Sequence, residues 1–243
     1  MFGIIGQKLS HSYSAKVFEK QFGASHKFKV IELESIEKLP EYLNNNTELR
    51  GFSVTIPYKK TIIPYISILD NISKEIQAVN TVLIKRINGK IEQLGYNTDV
   101  YGFTEAYKQY FQENYKNAII LGTGGASDAV NYALQQLGII AIKISRNKCD
   151  NDTITYKQLT DEIIFKNKII VNATPLGMFP NNDSFPDINY KAISKNHVAI
   201  DLTYNPDETT FMKKIKAENA VVLNGFKMLE LQAKKAWEIW GLI

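Results

Sequence analysis

Between Ala118 and Ser127 the chain reads A-I-I-L-G-T-G-G-A-S, and this stretch restricts the fold more tightly than any other. An apolar run, Ile119-Ile120-Leu121, ends abruptly at three glycines within four residues. Beyond them Ala129, Val130, Ala133, Leu134 and Leu137 recur at helical spacing, and Gly138 stands where a helix would end. A buried strand, a glycine turn and an amphipathic helix in that order form the first half of a dinucleotide-binding unit. There Gly122 permits the tight turn, and Gly124 and Gly125 let the backbone approach a pyrophosphate. The N–H groups at the helix start then face the anion. Ser127 occupies the third glycine position of the G-x-G-x-x-G pattern.

The rest of the chain extends this pattern in both directions. Downstream, strand-like runs recur at 139–144, 168–171, 198–201 and 221–223, with a helix over about 207–218. Upstream, 2–5 reads as a short buried strand closed by Gly6, followed by a helix from about 15 to 22 ended by Gly23. Residues 27–33 alternate like a strand, and Ser35 is a candidate N-cap for a helix that must accommodate Pro40. A strand at 51–56 stops at Pro57, and a helix covers about 70–78. Runs at 82–85 and 91–94 flank Asn88-Gly89, a strong hairpin signal, and a further helix begins near Tyr101. Such alternation predicts α/β architecture in two parts. The first is an N-terminal α/β domain over 1–100; the second is a Rossmann-like domain over 101–225. The last helix, 226–240, is apolar on most faces and must be buried, so 226–243 is expected to return to the first domain.

Composition narrows the class. The 243 residues are 44% hydrophobic and 22% charged, as in a soluble globular protein. The net charge of +4 comes from scattered lysines without a basic run, which argues against a nucleic-acid partner. No apolar run approaches the roughly 20 residues of a membrane span, and the first residues, M-F-G-I-I-G, lack a basic leader. The lone Cys149 excludes an intramolecular disulfide and suits a reducing, cytoplasmic compartment. His11, His26 and His197 lie far apart, so no metal site is expected. The pattern leaves monomer and homodimer equally open.

Ligands of open α/β sheets lie outside the carboxyl ends of the strands. That side holds Ser12, Ser14, Thr55, Lys59, Asn80 and Asp99. Taken singly, each has an ordinary role. A lysine after a strand is usually solvated, Thr98 or Asp99 could cap a helix, and Ser12 and Ser14 could start the first one. Tyr204-Asn205-Pro206 could be a plain turn, and Trp237 and Trp240 core.

In combination they carry a family resemblance. H-S-Y-S (11–14), S-V-T-I-P-Y-K (53–59), A-V-N-T (78–81) and G-Y-N-T-D (95–99) resemble the successive motifs of shikimate dehydrogenases. The likeness continues through G-T-G-G-A-S (122–127), N-A-T-P-L-G-M (172–178), D-L-T-Y-N-P (201–206) and G-F-K-M-L-E-L-Q-A (225–233). It runs from end to end in the right order. The resemblance implies reversible reduction of 3-dehydroshikimate to shikimate with NADPH, in chorismate and aromatic amino acid biosynthesis. By position, Lys59 and Asp99 match the family's catalytic pair. Ser12, Ser14, Thr55, Asn80, Tyr204 and Gln232 match its substrate contacts. Gly122, Thr123, Gly124, Gly125, Ala126, Ser145, Arg146, Thr174, Leu202 and Gly225 match its cofactor side.

The implied chemistry is sound in itself. Hydride delivery to a ketone requires a positioned acid, and a lysine and an aspartate near one oxygen can share that proton. A polyol carboxylate needs many hydroxyl and amide partners, which the serines, threonines and asparagine supply. The run Ser145-Arg146-Asn147-Lys148 follows the second strand of the unit, with no acid until Asp150, which favours NADP over NAD. Asp128, where the family often has a basic residue, adds negative charge near the phosphates. Two other readings compete: an NAD-using quinate/shikimate dehydrogenase, and a catalytically silent nucleotide-binding sensor. Ser14 and the missing acid oppose the first; retention of both Lys59 and Asp99 opposes the second.

Overall fold

The computed structural model describes residues 1–9, 13–147 and 152–243. Ser12, Lys148 and Cys149 therefore lie outside the described residues. The chain divides into two compact units, Met1–Tyr101 with Gln232–Ile243, and Gly102–Leu231.

The first unit is built on a mixed sheet. Its fully buried strand β1 (Phe2–Gly6) runs parallel to β2 (Phe28–Glu32) on one side and β3 (Gly51–Val54) on the other. β3 pairs antiparallel with β5 (Thr81–Ile87), which forms a hairpin with β6 (Lys90–Tyr96). The short β4 (Ile68–Leu69) closes the edge, parallel to β6. Asn88 and Gly89 turn the hairpin at φ of 50° and 76°, the left-handed pair that a two-residue loop requires.

Among the described residues, four helices complete this unit's connections: α1 (Tyr13–Phe22), α2 (Leu39–Asn45), α3 (Tyr58–Thr61) and α4 (Asn71–Ile76). Ser35 does not cap a helix. A single 3-10 turn, Ile36–Lys38, follows it, and its side chain makes no capping bond. α2 starts at Leu39 with Pro40 in its first turn, where a missing N–H breaks no hydrogen bond. At the far end of that helix, the Arg86 guanidinium donates to the carbonyls of Leu43, Asn46 and Leu49. Cation and helix dipole reinforce each other there.

The final helix, α9 (Phe226–Ile239), brings its last residues into the first unit. Ala233, Ala236, Trp237 and Trp240 cluster with Phe2 and Phe18. The Trp240 ring stacks on Phe2 at 5.0 Å, and its indole N–H donates to the Val82 carbonyl at 3.0 Å. A Cβ on Gly51 would meet that indole nitrogen at 2.6 Å, so the tryptophan's seat depends on glycine. Both tryptophans are core residues. Burying each aromatic stabilises the unit by roughly 1.5–3 kcal/mol.

α5 (Asp99–Tyr107) leads into the second unit, a parallel sheet with the order β12-β11-β10-β7-β8-β9. Its strands are β7 (Asn117–Leu121), β8 (Ile140–Ser145), β9 (Thr153–Thr155), β10 (Ile169–Asn172), β11 (Val198–Asp201) and β12 (Val221–Leu223). The strand order reverses between β7 and β10, which makes this a doubly wound, Rossmann-like sheet. α6 (Gly125–Gln136) follows β7 and ends before Gly138 at φ +72°. In this unit the three-residue β9 and α7 (Asp161–Lys166) go beyond the sequence reading, as α3 and β4 do in the first. α8 (Thr210–Ala217) begins later than 207, because Thr209 accepts the Met212 N–H and caps it. Among the described residues no helix is long and apolar enough to cross a membrane.

Just before β11, His197 is fully buried. Its Nδ1 accepts from the Ser194 N–H at 3.1 Å, which leaves the proton on Nε2, 3.1 Å from the Ile164 carbonyl. Burial pushes its pKa below the ordinary value, and the nearby Lys168 charge adds to this. The unfolded chain then protonates this ring first as pH falls, so the stability it contributes is present above about pH 6.5 and lost below it. Thermal melts of the parent and of His197→Gln should diverge between pH 7 and 5. The parent should lose a few degrees more, at about 2–4 °C per kcal/mol for a chain this long. Parallel pH slopes would remove His197 as the cause.

Candidate functional site

In the first unit, two polar side chains meet beyond the strand ends. The chain leaves β3 through Thr55-Ile56-Pro57 and turns once into α3, with the Tyr58 N–H donating to the Thr55 carbonyl at 2.9 Å. The Tyr58 hydroxyl anchors this turn by donating to the Leu33 carbonyl at 2.5 Å, and burial raises the phenol's pKa. Lys59 is thereby presented on a fixed turn, its own carbonyl accepting the Val79 N–H at 2.8 Å. Its ammonium lies 2.6 Å from Asp99 Oδ2, with the side chains 17% and 7% exposed. The two residues are 40 apart in sequence, yet they form an ion pair that water hardly reaches.

A hydrogen-bonded cluster adjoins the pair. The Asn80 side-chain oxygen accepts from the Thr98 N–H at 2.7 Å, and its amide donates to the Thr98 hydroxyl at 3.0 Å. Gln232 Oε1 lies 3.4 Å from both the Asn80 amide and the Thr98 hydroxyl. The Thr81 hydroxyl, fully buried, donates to Asn80 Oδ1 at 3.1 Å. Lys59 is thus brought together with Asp99, and Asn80 with Gln232. Thr55 sits at the carboxyl end of β3, its N–H on the Ile5 carbonyl at 2.9 Å. Ser14 lies in the first turn of α1, half-buried. Tyr204 belongs to the second unit, just past β11. The cap of α5 differs from expectation. Neither Thr98 nor Asp99 serves; Asn97 accepts the N–H groups of Asp99 and Val100 at 3.1 and 3.3 Å.

In the second unit, all ten residues assigned to the cofactor side fall at the carboxyl ends of β7, β8, β10, β11 and β12. Gly122, at φ +108°, lies against the chain after β10, where a Cβ would meet Thr174 at 3.1 Å. The start of α6 at Gly124 carries no side-chain capping bond, and a Cβ there would meet no atom within 4 Å. Ser127, in the third glycine position, donates its hydroxyl to the Gly122 carbonyl at 2.7 Å and closes the loop. Thr174 donates its hydroxyl to Asn172 Oδ1 at 2.6 Å, and Asn172 donates in turn to Asp201 at 3.0 Å. Asp201 also accepts from the Thr203 N–H and the Thr209 hydroxyl, while burial raises its pKa. Gly225 packs so closely on β11's end that a Cβ would lie 2.1 Å from the Leu202 carbonyl oxygen.

Two features of this edge escaped the sequence reading. Lys143, on β8, pairs with Asp128 at 2.8 Å, both side chains 16% exposed. The acid that stood out beside the glycine loop is therefore neutralised from the neighbouring strand. Arg146, exposed past β8, is near enough to the Tyr156 phenol to offset part of the upward shift that burial causes there. Ser145 turns its hydroxyl onto the Asn147 carbonyl.

Known proteins match this arrangement. The family model of the shikimate dehydrogenase substrate binding domain matches residues 4–82. A shikimate dehydrogenase (NADP(+)) of Clostridium beijerinckii is 36% identical over 253 residues, covering 98% of this chain and 91% of that protein. The crystal structure of shikimate dehydrogenase 1 from Peptoclostridium difficile superposes with a TM-score of 0.86 at 35% identity, covering 99% of this chain and 90% of that one. A shikimate dehydrogenase solved in complex with NADP+ superposes with a TM-score of 0.84 at 30% identity, covering 100% and 90%. With relatives this similar matched over nearly their whole length, the chain belongs to the shikimate dehydrogenase family.

Proposed function

We propose that this protein catalyses the reversible, NADPH-dependent reduction of 3-dehydroshikimate to shikimate, a step in chorismate and aromatic amino acid biosynthesis. The observation that carries the reading is the shielded Lys59–Asp99 ion pair, set beside the amide and hydroxyl groups of Asn80, Thr98 and Gln232. Reduction of a carbonyl leaves its oxygen in need of a proton, and the reverse reaction must take that proton away. Lys59 and Asp99 hold and move this proton at the substrate oxygen. One N–H of the ammonium is directed at Asp99 Oδ2, which fixes the lysine's rotamer and aims the remaining donors. Ser12, Ser14, Thr55, Asn80 and Gln232 bind the hydroxyl and carboxylate groups of the ring, and Tyr204 is assigned to the substrate as well.

The glycine edge fits a dinucleotide. The uncapped N–H groups of α6 and the side-chain-free surface at Gly124 suit a pyrophosphate, and Thr123, Gly125 and Ala126 present backbone to it. NADPH, when bound, supplies the hydride. Ser145 and Arg146 take the adenosine end, while Thr174, Leu202 and Gly225 shape the surface against which the nicotinamide end is held. A grid of shikimate and quinate against NADP and NAD tests the whole reading. The highest kcat/KM is expected for shikimate with NADP. Preference for quinate with NAD would replace it with the related dehydrogenase, and nucleotide binding without turnover in any combination would replace it with a silent scaffold.

A further inference from the structure

We propose that Asn97 is a positioning residue for the proton-transfer pair, holding Asp99 at a fixed offset from the segment that holds Lys59. The inference rests on the proposed role of Lys59 and Asp99. Asn97 is buried, and both ends of its amide are used. Its Oδ1 accepts from the Asp99 N–H at 3.1 Å and the Val100 N–H at 3.3 Å. Its Nδ2 donates to the Ala78 carbonyl at 3.1 Å. The next residue, Val79, donates its N–H to the Lys59 carbonyl at 2.8 Å. A single side chain therefore joins the backbone of one member of the pair to the segment that grips the other.

A plain helix cap would not need this residue type. Serine, threonine or aspartate would each supply an acceptor for the first turn of α5. The amide adds a second arm, whose Nδ2 donor reaches the Ala78 carbonyl while Oδ1 stays on the helix N–H groups. An aspartate would lose that donor and place a second carboxylate two residues from Asp99. A second link runs in parallel, from Asn80 Oδ1 to the Thr98 N–H at 2.7 Å. It ends one residue short of Asp99, so the placement of Asp99 itself falls to Asn97. Asp99 then stands in the first turn of α5, at the positive end of the helix dipole.

The test compares Asn97→Ala and Asn97→Ser in the parent and in an Asp99→Asn background, with kcat and KM for shikimate at saturating NADP, Tm, and amide exchange at Asp99 and Val100. In the parent background, Asn97→Ala should lower kcat by about 10- to 100-fold, the scale of a displacement near 1 Å, with KM changed less than about threefold. Exchange at the two amides should accelerate. In the Asp99→Asn background the same change should cost less than about twofold in kcat, since the group being positioned is already disabled. Asn97→Ser, which keeps an acceptor, should recover part of the loss, and it carries the comparison if the alanine variant does not fold. Equal losses in both backgrounds, or a folded alanine variant within about twofold of the parent in kcat, would overturn the positioning role. Absence of shikimate oxidation by the unmutated protein would instead overturn the functional reading beneath it.

Discussion

Lys59→Ala is expected to lower kcat for shikimate oxidation by about 10² or more while leaving NADP affinity nearly unchanged. The ammonium is 2.6 Å from Asp99 Oδ2 in a site that is largely shielded from water. Removing it takes away the donor at the reacting oxygen and leaves the Asp99 carboxylate buried without its counter-charge. Asp99→Asn keeps the shape of that side chain but removes its charge, and should cost a similar factor. The double variant should lose much less than the product of the two single losses, because each residue works through the other. Steady-state kinetics on the four proteins, with nucleotide affinity read separately by fluorescence titration, measures all of this. Multiplicative losses would show two independent residues and not one proton-handling unit. A large fall in Tm for Asp99→Asn would assign that residue chiefly to the fold.

Much of this arrangement is written in local patterns. The glycine stretch after β7, the Asn88-Gly89 turn and the apolar last helix each impose a structure on few residues, so a reading of the chain reaches them directly. What stays hidden depends on partners far away in sequence. In the run Asn97-Thr98-Asp99, three residues can each cap a helix, and their spacing alone does not separate them. The structure does, because Thr98 is drawn to Asn80 and Asp99 to Lys59, leaving Asn97 for the N–H groups. The Asp128–Lys143 pair had no comparable cue. Lys143 reads as an outward residue of a strand until β8 is placed beside β7 with that side chain on the α6 face. Ser35 failed as a cap for the opposite reason, since Pro40 can start α2 without one. The three-residue β9 is too short to show any periodicity.

NADP is expected to bind with a lower KM than NAD, and Arg146 is expected to carry the difference. In an NAD-binding unit an Asp or Glu at the end of the second strand accepts hydrogen bonds from the ribose hydroxyls. β8 is that strand here; it ends at Ser145, and Arg146 and Asn147 follow, with no acid among the three. A 2′-phosphate brings up to about two negative charges to this position, and a guanidinium fork can bind them in bidentate fashion. Arg146 is exposed past the strand end, whereas the nearby Lys143 is committed to Asp128 at 2.8 Å and adds no net charge there. The pairing also removes the repulsion that Asp128 would otherwise exert on the phosphates, so the preference need not be weakened by that acid. Arg146→Ala should therefore cost kcat/KM for NADP about 2 kcal/mol, roughly 30-fold, and leave NAD within about twofold. The loss should lie in KM more than in kcat, because the phosphate is remote from the hydride-bearing ring. It should also shrink as salt rises, since a charge pair at an exposed site is screened. Parallel kinetics with the two cofactors on the parent and the variant decide the matter, and equal KM values for NADP and NAD in the parent would sink the assignment.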